Sequence, residues 1–180
     1  MRQFVTFVAF VLSGLAIAGS ANAQTATQDI NITAIVTKAC TVNNSATGTP
    51  GSATIPVSAA GAVSTSAITP TGSPFANVAC NAPSSLQLTS LNGAVKNATA
   101  PGSGFTNLID YQATATWNSV TASVDTSTTS GATGPEAGTA QLVSTANSGN
   151  LTVSITPLAN ATPLITGTYN DTLRVTLTPQ

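Results

Sequence analysis

The chain has 180 residues but only four Lys or Arg, five Asp or Glu and no histidine, giving a formal net charge of −1. That composition excludes the clustered basic surface nucleic acid requires and the polybasic patch an anionic lipid surface would attract. It also leaves no imidazole for acid–base work or for completing a metal shell around the two cysteines.

In chain order, the first element is an address. Arg2 supplies a positive charge, residues 4–19 are an apolar run, and Ala21-Asn22-Ala23 offers the small residues of a signal-peptidase site. We therefore expect residues 1–23 to be a Sec signal peptide cleaved after Ala23. The run is too short to span a bilayer comfortably. The expected mature chain, from Gln24, carries Lys38, Lys96 and Arg174 against Asp29, Asp110, Asp125, Glu136 and Asp171. Its surface must be built from hydroxyls and amides. A near-neutral surface does little to prevent self-association.

Next come short segments in which apolar residues recur at period two, the pattern of half-buried strands. They are residues 30–36, 53–57, 62–68, 75–80, 86–91, 108–117, 120–124, 140–143, 151–155 and 173–177. Gly, Pro, Asn and Ser punctuate them, at Thr49-Pro50-Gly51-Ser52, Asn92-Gly93 and Pro101-Gly102-Ser103-Gly104 among others. Residues 126–139 are polar and Gly-rich. They read as a long exposed loop or as a poorly patterned edge strand. No mature segment keeps a helical apolar stripe over three turns. The expectation is all-β, a sandwich or barrel in one domain.

Cys40 and Cys80 lie in the exported part, where a lone pair of cysteines forms one disulfide or stays as two buried thiols. The disulfide is the expectation. It would contribute about 4 kcal/mol by the loop-entropy account.

Catalysis is not expected. The carboxylates are scattered singly. The serines lack an activating base, and no Ser-x-x-Lys spacing occurs. No cofactor, metal or small-molecule substrate is expected. Trp117 with Asn118 could form a sugar platform, as in a surface-binding adhesin module. A Trp on a strand is more often a core residue.

The last stretch, Gly167-Thr168-Tyr169-Asn170-Asp171-Thr172-Leu173-Arg174-Val175-Thr176-Leu177, resembles the end of archaic chaperone–usher pilins and spore coat protein U domains. The match continues elsewhere. Ile30, Ile32, Ala34 and Val36 alternate in phase with Cys40, ahead of a Cys40-Thr41-Val42 step. Asn77-Val78-Ala79-Cys80 is followed by Leu86-Gln87-Leu88, and Ile109-Asp110-Tyr111 is similar to the family's central Tyr-containing strand. Two features depart from the family. The chain ends Thr178-Pro179-Gln180, where members usually end in an aromatic residue, and it is poor in aromatics.

The resemblance implies a pilin-type immunoglobulin-like β-sandwich over residues 37–180, short of one strand. Residues 24–36 would be a donor-strand extension that completes a neighbour, burying Ile30, Ile32, Ala34 and Val36. Leu173, Val175 and Leu177 would form the C-terminal edge strand on which a periplasmic chaperone docks, entered through the turn Gly167, Tyr169 and Asp171. Implied partners are other copies or related pilins, the chaperone and an outer-membrane usher. The implied destination is the cell surface, after transit through the periplasm. A secreted coat or matrix protein of the spore coat U type is the alternative.

Overall fold

A computed structural model describes residues 26–72, 75–128 and 133–180. The expected signal peptide and its cleavage site lie outside the described residues, as do Gln24 and Thr25. The chain divides into two units, residues 1–35 and 36–180. The described part of the first contains no helix or strand. Its large apolar side chains are open to solvent: Ile30 is 82% exposed, Ile32 90% and Ile35 95%. The strand anticipated at 30–36 is therefore not formed. Two-period alternation gains nothing until a sheet edge and an apolar face accept it.

The second unit is all-β. Its strands are β1 (Cys40–Thr41), β2 (Val78–Cys80), β3 (Ser84–Ser90), β4 (Val95–Lys96), β5 (Leu108–Ile109) and β6 (Tyr111–Trp117). They continue as β7 (Val120–Asp125), β8 (Glu136–Ala137), β9 (Gln141–Val143), β10 (Asn147–Gly149), β11 (Thr152–Pro157) and β12 (Leu173–Pro179). All pair antiparallel. The sheet orders are β11-β6-β7, β1-β2-β10 and β12-β3-β8, with β9 also on β3, plus the small ribbon β4-β5.

Alternation explains the longest strands. In β3 the even-numbered residues Ser84, Leu86, Leu88 and Ser90 are buried, and in β6 the odd-numbered residues Tyr111, Ala113, Ala115 and Trp117. These inner faces meet in one core that also takes Val78, Cys80, Ala122, Val124, Val143, Leu151, Val153 and Ile155. The result is a sandwich of antiparallel sheets over a single core. Trp117 is only 1% exposed, so its face is not available on the surface as a stacking platform.

The β6–β7 hairpin turns through Asn118 and Ser119, both left-handed at φ 50° and 62°. Two positive-φ residues make the turn whose twist suits antiparallel strands. Two further expected strands did not form. Residues 53–57 and 62–68 make only isolated bridges, Val57 with Val63 and Ile68 with Ile155. Their side chains are mostly exposed, so no buried face selects a register. Residues 108–117 break into β5 and β6 at Asp110. Of the segment 126–139, the described residues hold a 3-10 turn, Thr126–Thr128, and β8, which pairs with β3.

Along one side the sandwich is sealed. The Gly138 N–H donates to the Leu88 carbonyl at 2.9 Å, and a Cβ at Gly138 would run into the Ser123 carbonyl of β7. Only glycine lets the backbones approach that closely. Among the described residues no helix is long and apolar enough to cross a membrane.

Candidate functional site

On the other side of β3 lies β12, the last strand of its sheet. Leu173, Val175 and Leu177 stand opposite Ser90, Leu88 and Leu86 on the inner face. Leu86 and Leu88 are 0% exposed. Their β12 partners are only half-buried although they pack on the core, as are Cys40 of β1 and Val42 just after it. The core is thus incompletely covered along β12 and β1, each the outermost strand of its sheet.

The hydrogen-bond phase of β12 follows from its two ends. The Thr172 carbonyl accepts from Leu91 N–H at 3.0 Å, and Gln180 N–H donates to the Pro83 carbonyl at 2.8 Å. Bonded pairs alternate in an antiparallel ladder, so the even-numbered residues of β12 bond to β3. The backbone groups of Leu173, Val175, Leu177 and Pro179 point away from it. A row of outward N–H and C=O groups beside a half-covered apolar face is a template for another strand. Pro179 costs the β3 ladder nothing, because the N–H it lacks would have faced outward.

Within the second unit, residues 37–39 are fastened next to this edge. Asn81 accepts the Ala39 N–H on Oδ1 at 2.7 Å and donates from Nδ2 to the Thr37 carbonyl at 2.8 Å. Its own N–H donates to the Ala39 carbonyl at 3.1 Å. One side chain thus carries the β1–β2 pairing back past its last residue. Lys38 Nζ donates to the Gln180 backbone oxygen at 2.6 Å. The Cys40–Cys80 disulfide is formed, within a register that sets the two residues directly opposite each other. Val36, one residue before the clamp, is 80% exposed, and Ala34 is exposed as well.

The turn Gly167, Tyr169 and Asp171 is a local fastening. Gly167 has φ 137° and passes so near Asn97 that a Cβ would meet its side-chain amide. The Tyr169 hydroxyl donates to the Ile165 carbonyl at 2.9 Å. Asp171 does most. Its Oδ2 accepts the Ser90 and Tyr111 hydroxyls, each at 2.6 Å. Its Oδ1 accepts the N–H of Thr172 at 2.7 Å and of Asn92 at 3.0 Å. One carboxylate therefore ties β12 to β3 and, across the core, to β6. Sequence reasoning singled out Asp171 but not Ser90, Asn92, Asn81 or Asn97. In a chain this rich in Asn and Ser, residue type alone does not mark them.

Burial first, then the hydrogen bond to Asp171, holds the Tyr111 hydroxyl well above the usual phenol range. Burial also raises Tyr169. A folded pKa above the unfolded value of about 10 means that deprotonation favours unfolding. Stability should be intact below about pH 10 and fall as pH rises above it. Urea midpoints measured from about pH 8 to about pH 12, with phenolate absorbance followed in parallel, test this. Tyr111 should ionise together with unfolding. Both phenolates appearing in the folded protein near pH 10 would contradict it.

The described residues contain no group of three or more His, Cys, Asp or Glu able to hold a metal ion. No family model matches the chain, and no curated protein or solved structure matches it significantly.

Proposed function

We propose that this chain is a structural subunit of a surface fibre, joined to its neighbours by strand exchange. It would be exported, carried by a periplasmic chaperone and delivered through an outer-membrane usher. The finer fold assignment, a pilin-type immunoglobulin-like sandwich completed by a donor strand, belongs to the same proposal. So does the likeness to archaic chaperone–usher pilins and spore coat protein U domains. The observation that carries it is the pairing of two unfinished features in one chain. One is an outer strand, β12, with outward backbone groups and half-buried Leu173, Val175 and Leu177. The other is an exposed alternating segment holding Ile30, Ile32, Ala34 and Val36.

Each supplies what the other lacks. Strand addition satisfies the outward N–H and C=O groups. It also buries large aliphatics, each worth about 1.5–3 kcal/mol. Because donor and acceptor are different surfaces, the contact is head-to-tail and extends without closing. The Asn81 clamp and the disulfide would carry tension from the segment into β2.

The test is an unboiled denaturing gel of mature protein coexpressed with the genes that flank its own, beside a form lacking residues 25–33. A ladder of bands from the full chain and a single band from the shortened one is expected. One monomer band from both, with reversible unfolding, would overturn the proposal in favour of a self-sufficient coat or matrix protein.

A further inference from the structure

We infer that Pro179 ends the usable edge of β12, so that a second copy's strand is laddered on Leu173, Val175 and Leu177 alone. This rests on the strand-exchange reading and deepens it, because it fixes where on β12 the partner pairs.

The backbone groups of Leu173, Val175, Leu177 and Pro179 face the open side, as the bonds at Thr172 and Gln180 require. Three of these residues offer both a donor and an acceptor. Pro179 offers an acceptor only. The next residue, Gln180, is already taken: its N–H goes to Pro83, its backbone oxygen receives Lys38 Nζ at 2.6 Å, and its side-chain amide reaches Ser85 Oγ at 3.2 Å. The edge is thus complete at one end and blocked at the other.

The occupant this edge fits is the 30–36 segment of another copy. Ile30, Ile32, Ala34 and Val36 recur at every second position, as do the three complete positions of β12, and Ile35 falls on the opposite face. Alternate residues on both strands are spaced about 6.6–6.8 Å. In its own chain the segment is not buried, with Ile30, Ile32 and Val36 each at least 80% exposed. The set Ile30, Ile32, Ala34 and Val36 has four positions against three complete ones, so at least one of them is held without a full pair of backbone bonds to β12.

Residue-resolved amide exchange on the full mature chain, as monomer and as fibre, tests the assignment. The amides of Leu173, Val175 and Leu177 should slow on assembly by at least about a hundredfold. Those of Arg174, Thr176 and Thr178, already bonded to β3, should change little. Pro179→Ala restores the missing N–H. Its fibres should show a fourth slowed amide at 179 and should withstand a higher temperature on the unboiled gel, with monomer melting unchanged. Fibres in which 173, 175 and 177 exchange as fast as in the monomer would overturn the register while leaving strand exchange standing. So would a Pro179→Ala fibre whose new amide stays fast. No concentration-dependent fibre at all would overturn both.

Discussion

Asp171→Ala should lower the unfolding free energy by about 3–5 kcal/mol, a large share of what a domain this size possesses. The loss comes from what stays behind. Ser90 is 0% exposed and Tyr111 2%, and both hydroxyls end on Asp171 Oδ2. Remove the carboxylate and two buried donors lose an acceptor. Each unsatisfied group costs about 1–3 kcal/mol, and bonds to a charged acceptor lie at the stronger end. The N–H groups of Asn92 and Thr172 add less, because water can reach them. Tyr111→Phe is the control: it deletes one donor and leaves Asp171 three others, so it should cost only about 1–2 kcal/mol. Urea unfolding of the three proteins gives the ranking. An Asp171→Ala loss no greater than that of Tyr111→Phe would mean that the carboxylate does not tie the strands.

The second large effect is on assembly rather than folding. Ile32→Asp should abolish the fibre ladder and leave the monomer's melting unchanged. Ile32 is 90% exposed, so nothing in the isolated chain rests on it. In a strand laid against β12 it would be buried, and a carboxylate there must lose its hydration without a partner. That penalty, with the loss of about 1.5–3 kcal/mol of aliphatic burial, exceeds what the remaining apolar positions restore. Assembly on the unboiled gel and melting by circular dichroism separate the two readouts. A variant that fails to fold as a monomer would place Ile32 in the domain's own core.

The strands with one buried face were legible because burial enforces the two-residue period. Leu86 and Leu88, Ala113 and Ala115, and Leu173 to Leu177 all announce themselves this way. Residues 53–68 show the limit. In a chain dominated by Thr, Ala and Ser, alternation also arises where no face is buried, and nothing local distinguishes the two. The two-residue strands β4 and β8 carry too short a pattern to read. The tie between Tyr111 and Asp171 joins residues 60 apart, which no local signal encodes. Pro179 looked like a mere departure from the expected ending. Only the ladder phase shows that its missing N–H faces outward and leaves the pairing with β3 intact.

The Asp171 junction also implies an order of events during folding. The β6–β7 hairpin is closed by Asn118 and Ser119 alone, so it can form early at little cost in loop entropy. Ser90 and Asp171 are 81 residues apart, and their meeting must await the closure of that long loop. Docking of β12 on β3 should therefore be late and slow, as for other non-local strand pairings. Until then β3 has an uncovered side. The interval in which the newly made chain is most prone to mispairing is the one that ends when Asp171 collects its four donors.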